Sequence, residues 1–315
     1  MKIKHKYLIF LFLVAFVFFP RCTKDETDST TGTLVLKITD AASDDEDIKG
    51  IFITVSDIKI NGKPIRNHVP QMIEISSLIN GETYLLVNKE LAAKEYDEIS
   101  LVLSASSPNS VNAPGCYVLT KNNTKHNLIA DGTAEIEIMV AKAFEVIPAA
   151  ETKLVADFDL RKAIIRNESG KSSYQFVSPE ELENVVRVIH EKKTGKIYGT
   201  VNANLTYDSE IYVLIYKKGE FKASAEGSGN GKSKVLFANA ITSTKVESDE
   251  SYNLSFLEEG EYDIRLASFR KTNANQFSFY GFLPTTSRKT GMLLNNIAVS
   301  PGSSIEINIE VFRLL

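Results

Sequence analysis

The 315-residue chain predicts an all-β protein, built as two tandem antiparallel β-sandwich domains behind a signal peptide and a flexible tether. Three observations carry that reading. From Gly32 onward apolar residues alternate with polar ones at a period of two, and no long stretch repeats at the helical period. Turn-forming pairs such as Asn61-Gly62 and Asp131-Gly132 punctuate the alternating runs. The closing run, Ser304 to Phe312, sets Ile305, Ile307, Ile309 and Val311 on one face and Glu306, Asn308 and Glu310 on the other.

The N-terminus is an export signal. Lys2, Lys4 and Lys6 precede an apolar run from Tyr7 to Phe19, which Pro20 closes. As a helix at about 1.5 Å per residue that run would cover roughly 20 Å, against a hydrocarbon core of about 30 Å. A basic start, a short apolar stretch and an immediate cleavage zone fit a signal peptide over residues 1–21 better than a membrane span. Phe19-Pro20-Arg21-Cys22 resembles the lipobox of bacterial lipoproteins, although Arg21 stands where that box usually has a small residue. The resemblance implies that Cys22 becomes a lipidated N-terminus carrying fatty acid such as palmitate. Lys24-Asp25-Glu26 is similar to the export signal that carries lipoproteins of Bacteroidota to the outer face of the outer membrane. The expected location is therefore the outer membrane of a Gram-negative bacterium, at the cell surface, with the membrane engaged through the lipid. Residues 22–31 read as a disordered tether, being rich in Thr, Ser and Asp.

Composition sets further bounds. The net charge is −4 and no basic block follows the signal, so nucleic acid is not an expected partner. With Cys22 lipidated, the only other cysteine, Cys116, has no disulfide partner, and thiolate zinc sites are excluded. Cys116 follows Pro114-Gly115 at the start of a strand and reads as a buried structural thiol.

The first sandwich is expected over residues 32–190. Its strands run through Leu34 to Ile38, Ile51 to Ile60, Ile99 to Leu103, Tyr117 to Leu119, Ala134 to Met139, Lys153 to Leu160 and Tyr174 to Val177. Ser178-Pro179-Glu180-Glu181 predicts a brief helix start, before Val185 to Ile189 returns to strand composition. The ordered pieces 32–41, 51–60, 91–101, 155–164 and Tyr174 with 185–189 resemble the domain of unknown function 4382 family, whose name implies no activity. Polar Glu191 to Gly195 reads as the linker to a second sandwich over residues 195–315. Strands are expected there at Lys196 to Val201, Glu210 to Tyr216, Lys234 to Ala238, Ser251 to Leu257, Tyr262 to Ser268, Gln276 to Phe282 and Ser304 to Phe312. Leu91-Ala-Ala-Lys-Glu-Tyr96-Asp in the first domain echoes Leu257-Glu-Glu-Gly-Glu-Tyr262-Asp in the second. This Leu-turn-Tyr phrase resembles prealbumin-like and carboxypeptidase-regulatory sandwiches, which implies a tyrosine packed at a corner between sheets of an immunoglobulin/prealbumin-like fold.

Candidate chemistry is sparse. Gly227-Ser-Gly-Asn-Gly231-Lys232-Ser233 has one residue too few between its glycines for a phosphate loop and lies between strand patterns, so it reads as a hairpin tip. His68, His126 and His190 are scattered. Asp157 and Asp159 share a strand face with Cα atoms about 6.6–7 Å apart, a spacing open to glycoside acid–base work or, with Asp40 and the acidic run at Asp44, to calcium. The simpler expectation sets Leu154, Ala156, Phe158 and Leu160 in the core and leaves the aspartates in water beside Lys153 or Arg161. On that expectation there is no catalytic set and no cofactor or bound metal. The chain then reads as a non-catalytic, lipid-anchored envelope module for a protein or glycan partner. The alternatives are a glycan hydrolase using the aspartate pair and an accessory subunit docked by a sheet edge.

Overall fold

The computed structural model describes residues 30–41, 45, 47–105, 115–128, 135–166, 173–203, 209–271 and 277–312. Cys22, Lys24, Asp25, Glu26, Asp44, Asp131 and Gly132 lie outside the described residues.

The strands that frame the first sandwich are β1 (Thr31–Ala41), β2 (Ile48–Ile60), β3 (Tyr84–Ala92), β4 (Glu95–Ser104), β5 (Glu135–Glu145), β6 (Glu151–Asp159) and β7 (Val186–His190). Two short helices interrupt the series between β6 and β7: α1 (Leu160–Ala163) and α2 (Pro179–Leu182). The second sandwich is framed by β8 (Thr194–Asn202), β9 (Ser209–Lys217), β10 (Thr242–Lys245), β11 (Ser251–Glu258), β12 (Gly260–Lys271), β13 (Phe277–Leu283) and β14 (Ile309–Val311), with helix α3 (Ala223–Ser228) after β9.

In the first unit the sheet β7-β6-β1-β3 faces a sheet in which β2, β4 and β5 are neighbours and Tyr117–Thr120 extends the far side of β2. The inward residues of both sheets, among them Leu34, Leu36, Ile53, Ile58, Leu101, Ile138 and Phe158, form one core. In the second unit β11-β8-β14 faces β10-β9-β12-β13 across Ile197, Val213, Leu254, Ile264 and Ile309. The two units repeat one topology. β1 runs antiparallel to β3 and parallel to β6, and β8 runs antiparallel to β11 and parallel to β14. On the facing sheets β2-β4-β5 corresponds to β9-β12-β13. Each sandwich is thus antiparallel except where its first strand meets a late one.

The sequence echo marks equivalent corners. Where the chain leaves β3 for β4, the Tyr96 hydroxyl donates to the Ala92 carbonyl at 3.0 Å. Where it leaves β11 for β12, the Tyr262 hydroxyl donates to the Glu258 carbonyl at 2.6 Å. Both rings are buried. A ring that fills the core while its hydroxyl holds the preceding turn fixes the angle at which the chain changes sheets.

Three local expectations are corrected. Lys234 to Ala238 is not a strand: Val235 makes a single bridge with Asn230, and Phe237 adopts φ 52° so that its ring drops into a cluster with Phe269, Phe279 and Phe282. Part of the glycine-rich stretch read as a hairpin tip is the helix α3. The closing run is split into Ser304–Glu306 and β14, both parallel to β8. At the break the Ile307 carbonyl turns toward β8, accepting from the Tyr252 hydroxyl at 2.8 Å, while the Asn308 side chain accepts from the Thr200 N–H at 3.0 Å. Gly199 makes room, because a Cβ there would stand 2.1 Å from the Ile307 oxygen.

A stability prediction follows from that approach. Gly199→Ala is expected to destabilise the second sandwich by about 2 kcal/mol or more, as overpacking against backbone does. Gly281→Ala, whose Cβ meets nothing within 4 Å, should stay within about 0.5 kcal/mol of the parent. Urea unfolding of the two variants side by side checks the contrast; equal midpoints would show that Gly199 is not needed for the break.

Candidate functional site

The candidate carboxylates do come together, but away from solvent. β1 and β6 lie parallel with Thr39 opposite Asp157, Asp40 opposite Phe158 and Ala41 opposite Asp159, so the three aspartates collect at one end of the sheet. Asp157 is 4% exposed and Asp159 5%. The expectation of a solvated face is therefore overturned. Leu154, Ala156 and Phe158 fill the first core as expected, while the aspartate face of β6 is covered by the second sandwich. Lys153, expected beside the aspartates, pairs with Glu151 at 3.1 Å instead.

Asp157 and Asp159 are each matched by a cation that also reaches the neighbouring unit. Asp159 caps α1, accepting from the Lys162 N–H at 3.3 Å, and is paired with the Arg161 guanidinium at 2.9 Å and the Lys162 ammonium at 3.3 Å. Arg161 donates onward to the carbonyls of Leu236 and Phe237, the latter at 3.1 Å, and Lys162 to that of Ala240 at 2.6 Å. Across the sheet, Arg187 of β7 stands opposite Asp157 and donates to it from Nε at 2.7 Å. Its Nη1 donates to the Phe256 carbonyl at 3.0 Å, and Phe256 sits at φ 56°. The turns of the second unit thus present carbonyls to cations that the aspartates of the first hold in place.

A loop adds neutral contacts. Thr39 donates its hydroxyl to the Leu78 and Glu82 carbonyls at 2.9 and 2.7 Å, bracing the segment between them. Asn80 on that segment accepts at its carbonyl from the Asn253 side chain at 2.7 Å, and at its side-chain oxygen from the Thr244 hydroxyl at 3.0 Å.

Asp40 differs from its neighbours. One oxygen accepts the Leu160 N–H at 3.2 Å, and no cation pairs with it among the described residues. Burial pushes its carboxyl well above the usual range, against the pull of the Leu160 N–H, and the charges of Asp159 and Asp157 push it further. Burial also raises Asp157, opposed mainly by the Arg187 charge, and lowers the Lys162 ammonium.

The remaining candidates stay apart from this cluster. Cys116 is buried with its thiol pushed up to about 12 by desolvation, and it donates to the Ser104 carbonyl at 3.3 Å, an inert setting. His126 packs edge-on against Tyr174 at 5.4 Å. Among the described residues no group of three or more His, Cys, Asp or Glu is arranged to hold a metal ion. A cleft of about 460 Å³ is lined by Arg161 together with Tyr174, Arg166, Leu236, Phe277 and Phe279. Sequence reasoning missed Arg187 and Lys162 as members of the cluster; the only available signal was two cations within and just after apolar strands.

The geometry defines a tandem β-sandwich protein with a charged seam between its units. Residues 31–178 match the family described as a domain of unknown function, DUF4382. That match takes in just under half of the chain, including Asp40, Asp157, Asp159, Arg161 and Lys162, and stops before Arg187. No curated protein matches the chain. Solved structures give remote likenesses. The Bacillus anthracis TIE protein is 12% identical over 89% of this chain and 34% of its own, at a TM-score of 0.18, so this chain spans about a third of its length. BcpA, the major pilin subunit of Bacillus cereus, is 10% identical over 89% of this chain and 70% of its own, at 0.20. The fimbrial anchor protein Mfa2 from Porphyromonas gingivalis is 9% identical over 79% and 82%, at 0.17.

Two outcomes are expected from the cluster. Arg161→Ala strands Asp159 and leaves the Leu236 and Phe237 carbonyls without their donor, which should cost about 3–5 kcal/mol. Limited proteolysis should then cut faster around Glu191–Lys193, the turn joining the units; an unchanged cleavage rate would mean that the pair does not hold them. The second outcome concerns pH. The folded state favours protonated Asp40, so this group's stabilising contribution is full below its unfolded value near 4 and is lost as pH rises through its higher folded value. Asp40→Asn keeps an acceptor for Leu160 N–H and carries no charge. It should gain on the parent by about 1.4 kcal/mol per pH unit above about pH 4, levelling off once the folded value is passed. Urea titrations from pH 4 to 9 measure the gap; a constant gap would refute the assignment.

Proposed function

We propose that this protein is a non-catalytic module of the cell envelope, anchored through lipid on Cys22 and displayed outward, in which two sandwiches work as one stiff unit. One observation carries the reading: Asp157 and Asp159, the carboxylates a hydrolase would need, are taken up by Arg187, Arg161 and Lys162, and those cations are committed to carbonyls of the second sandwich. The cavity beside Asp157 has a volume of about 20 Å³, room for a water and not for a sugar ring. The same ion pairs that would have to break for catalysis hold the two units in one orientation. Partner contact then falls to exposed surfaces and to the cleft beside Arg161, where a protein or glycan would meet aromatic and cationic side chains together.

Two measurements test this. The purified protein and Asp157→Asn/Asp159→Asn should be equally inert on panels of glycoside, ester and peptide substrates; turnover lost in a folded double variant would reinstate the hydrolase. Cys22→Ser should abolish incorporation of a palmitate analogue and release the chain from membranes, whereas equal labelling of both forms would remove the lipid anchor from the proposal.

A further inference from the structure

Where the two sandwiches meet, three buried oxygens have no hydrogen-bond partner: Asp40 Oδ2 and Asp157 Oδ1 from the first unit and Ser243 Oγ from the second. All three residues are more than nine-tenths buried, and all three line one cavity of about 20 Å³. Three orphans around one small void is not how a finished interface looks, because each buried unsatisfied group costs about 1–3 kcal/mol.

We propose that this cavity is a site for a single ordered water molecule that joins Asp40 and Asp157 of the first sandwich to Ser243 of the second. Its volume matches the roughly 10–15 Å³ or more that one water needs, and three polar partners is the usual number for a buried water. The hydrogen count also closes. Water donates one proton to Asp40 Oδ2 and one to Asp157 Oδ1, and accepts the Ser243 hydroxyl proton, so every orphan gains a partner. With Asp40 protonated, Asp40 donates to the water instead, and the water still accepts from Ser243 and donates to Asp157 Oδ1, so each of the three oxygens keeps its partner with one water proton left over. Other polar groups on the wall are already engaged: the Thr39 hydroxyl with Leu78 and Glu82, and the Asn253 side chain with the Asn80 carbonyl. A metal ion fits less well. Calcium asks for six to eight oxygens, and among the described residues no group of three or more His, Cys, Asp or Glu is arranged to hold a metal ion.

The site exists only when the two units are docked, because neither sandwich supplies all three partners. It rests on the reading of the two as one unit and adds a bridge to the ion pairs. A near-atomic-resolution crystal structure of the full chain, with one crystal soaked in calcium, is the first test. One solvent peak about 2.7–3.2 Å from the three oxygens is expected. An empty cavity would overturn the proposal, as would a peak with six or more oxygens at about 2.3–2.6 Å, which would mark a cation. Ser243→Val, which removes the hydroxyl and fills the void, is the second test. It should retain its strand and lower the midpoint of thermal unfolding by roughly 2–4 °C; an unchanged or higher midpoint would mean a dry cavity. The crystal decides the water whatever the protein binds, and the substrate panel decides the function whatever fills the cavity.

Discussion

The structure depends on how the buried carboxylates Asp157 and Asp159 are compensated at the seam between the two units. Isolated charges in a protein interior are expensive, and a buried pair offsets that cost only when its remaining hydrogen-bonding capacity is met. Here Arg161, Lys162 and Arg187 each also donate to backbone carbonyls of the second sandwich, while Arg161 Nε stays buried without a partner. Those carbonyls belong to turns around Leu236 to Ala240 and to the left-handed residue Phe256. The irregular backbone of the second unit is thus shaped to receive cations presented by the first. Removing either partner leaves the other uncompensated, so the seam is cooperative and the relative placement of the units is specified by directional bonds as well as by apolar contact.

The repeated topology explains why such a seam arises at all. In each unit the first strand is clamped between an antiparallel neighbour and a parallel late strand, which leaves that sheet buried on its inner face and available on its outer face. In the first unit the outer face carries Asp157 and Asp159 and is taken by the neighbour. Every residue from Leu154 to Asp159 is consequently buried, although only alternate ones belong to the hydrophobic core. The tyrosine corners at Tyr96 and Tyr262 keep the sheets of each unit in register, so the outer faces meet as formed surfaces.

For function, the consequence is a division of labour. On the proposed reading, the charged residues that looked most chemical serve architecture, and partners would meet the cleft beside Arg161 and the exposed side chains. Tyr280, Met292 and Leu293 are each more than half exposed on the second unit, as is Val69 on the first, where Met72 is half exposed. Asp157 is paired with Arg187, and Asp159 with Arg161 and Lys162.

The all-β class, the two units and the position of their corners were legible in the amino-acid order. Period-two alternation and turn pairs such as Asn61-Gly62, which adopts φ 48° and 70°, are local signals that short-range sterics enforce. The Leu-turn-Tyr phrase was legible for the same reason, and so was the start of α2, where the Ser178 N–H donates to Glu181 at 3.2 Å. What lies across the aspartate face was not legible. Alternation tells which residues turn outward from one sheet, but outward means water only if no second body covers that face. Only the tertiary structure decided that Asp157 meets Arg187, thirty residues away, and that Arg161 reaches carbonyls more than seventy residues on. It decided as well that Phe237 leaves strand geometry to fill an aromatic cluster, and that Gly199 admits the Ile307 carbonyl. Each of these is a long-range packing outcome, in which the burial of a ring or the pairing of a charge outweighs the local preference of the chain.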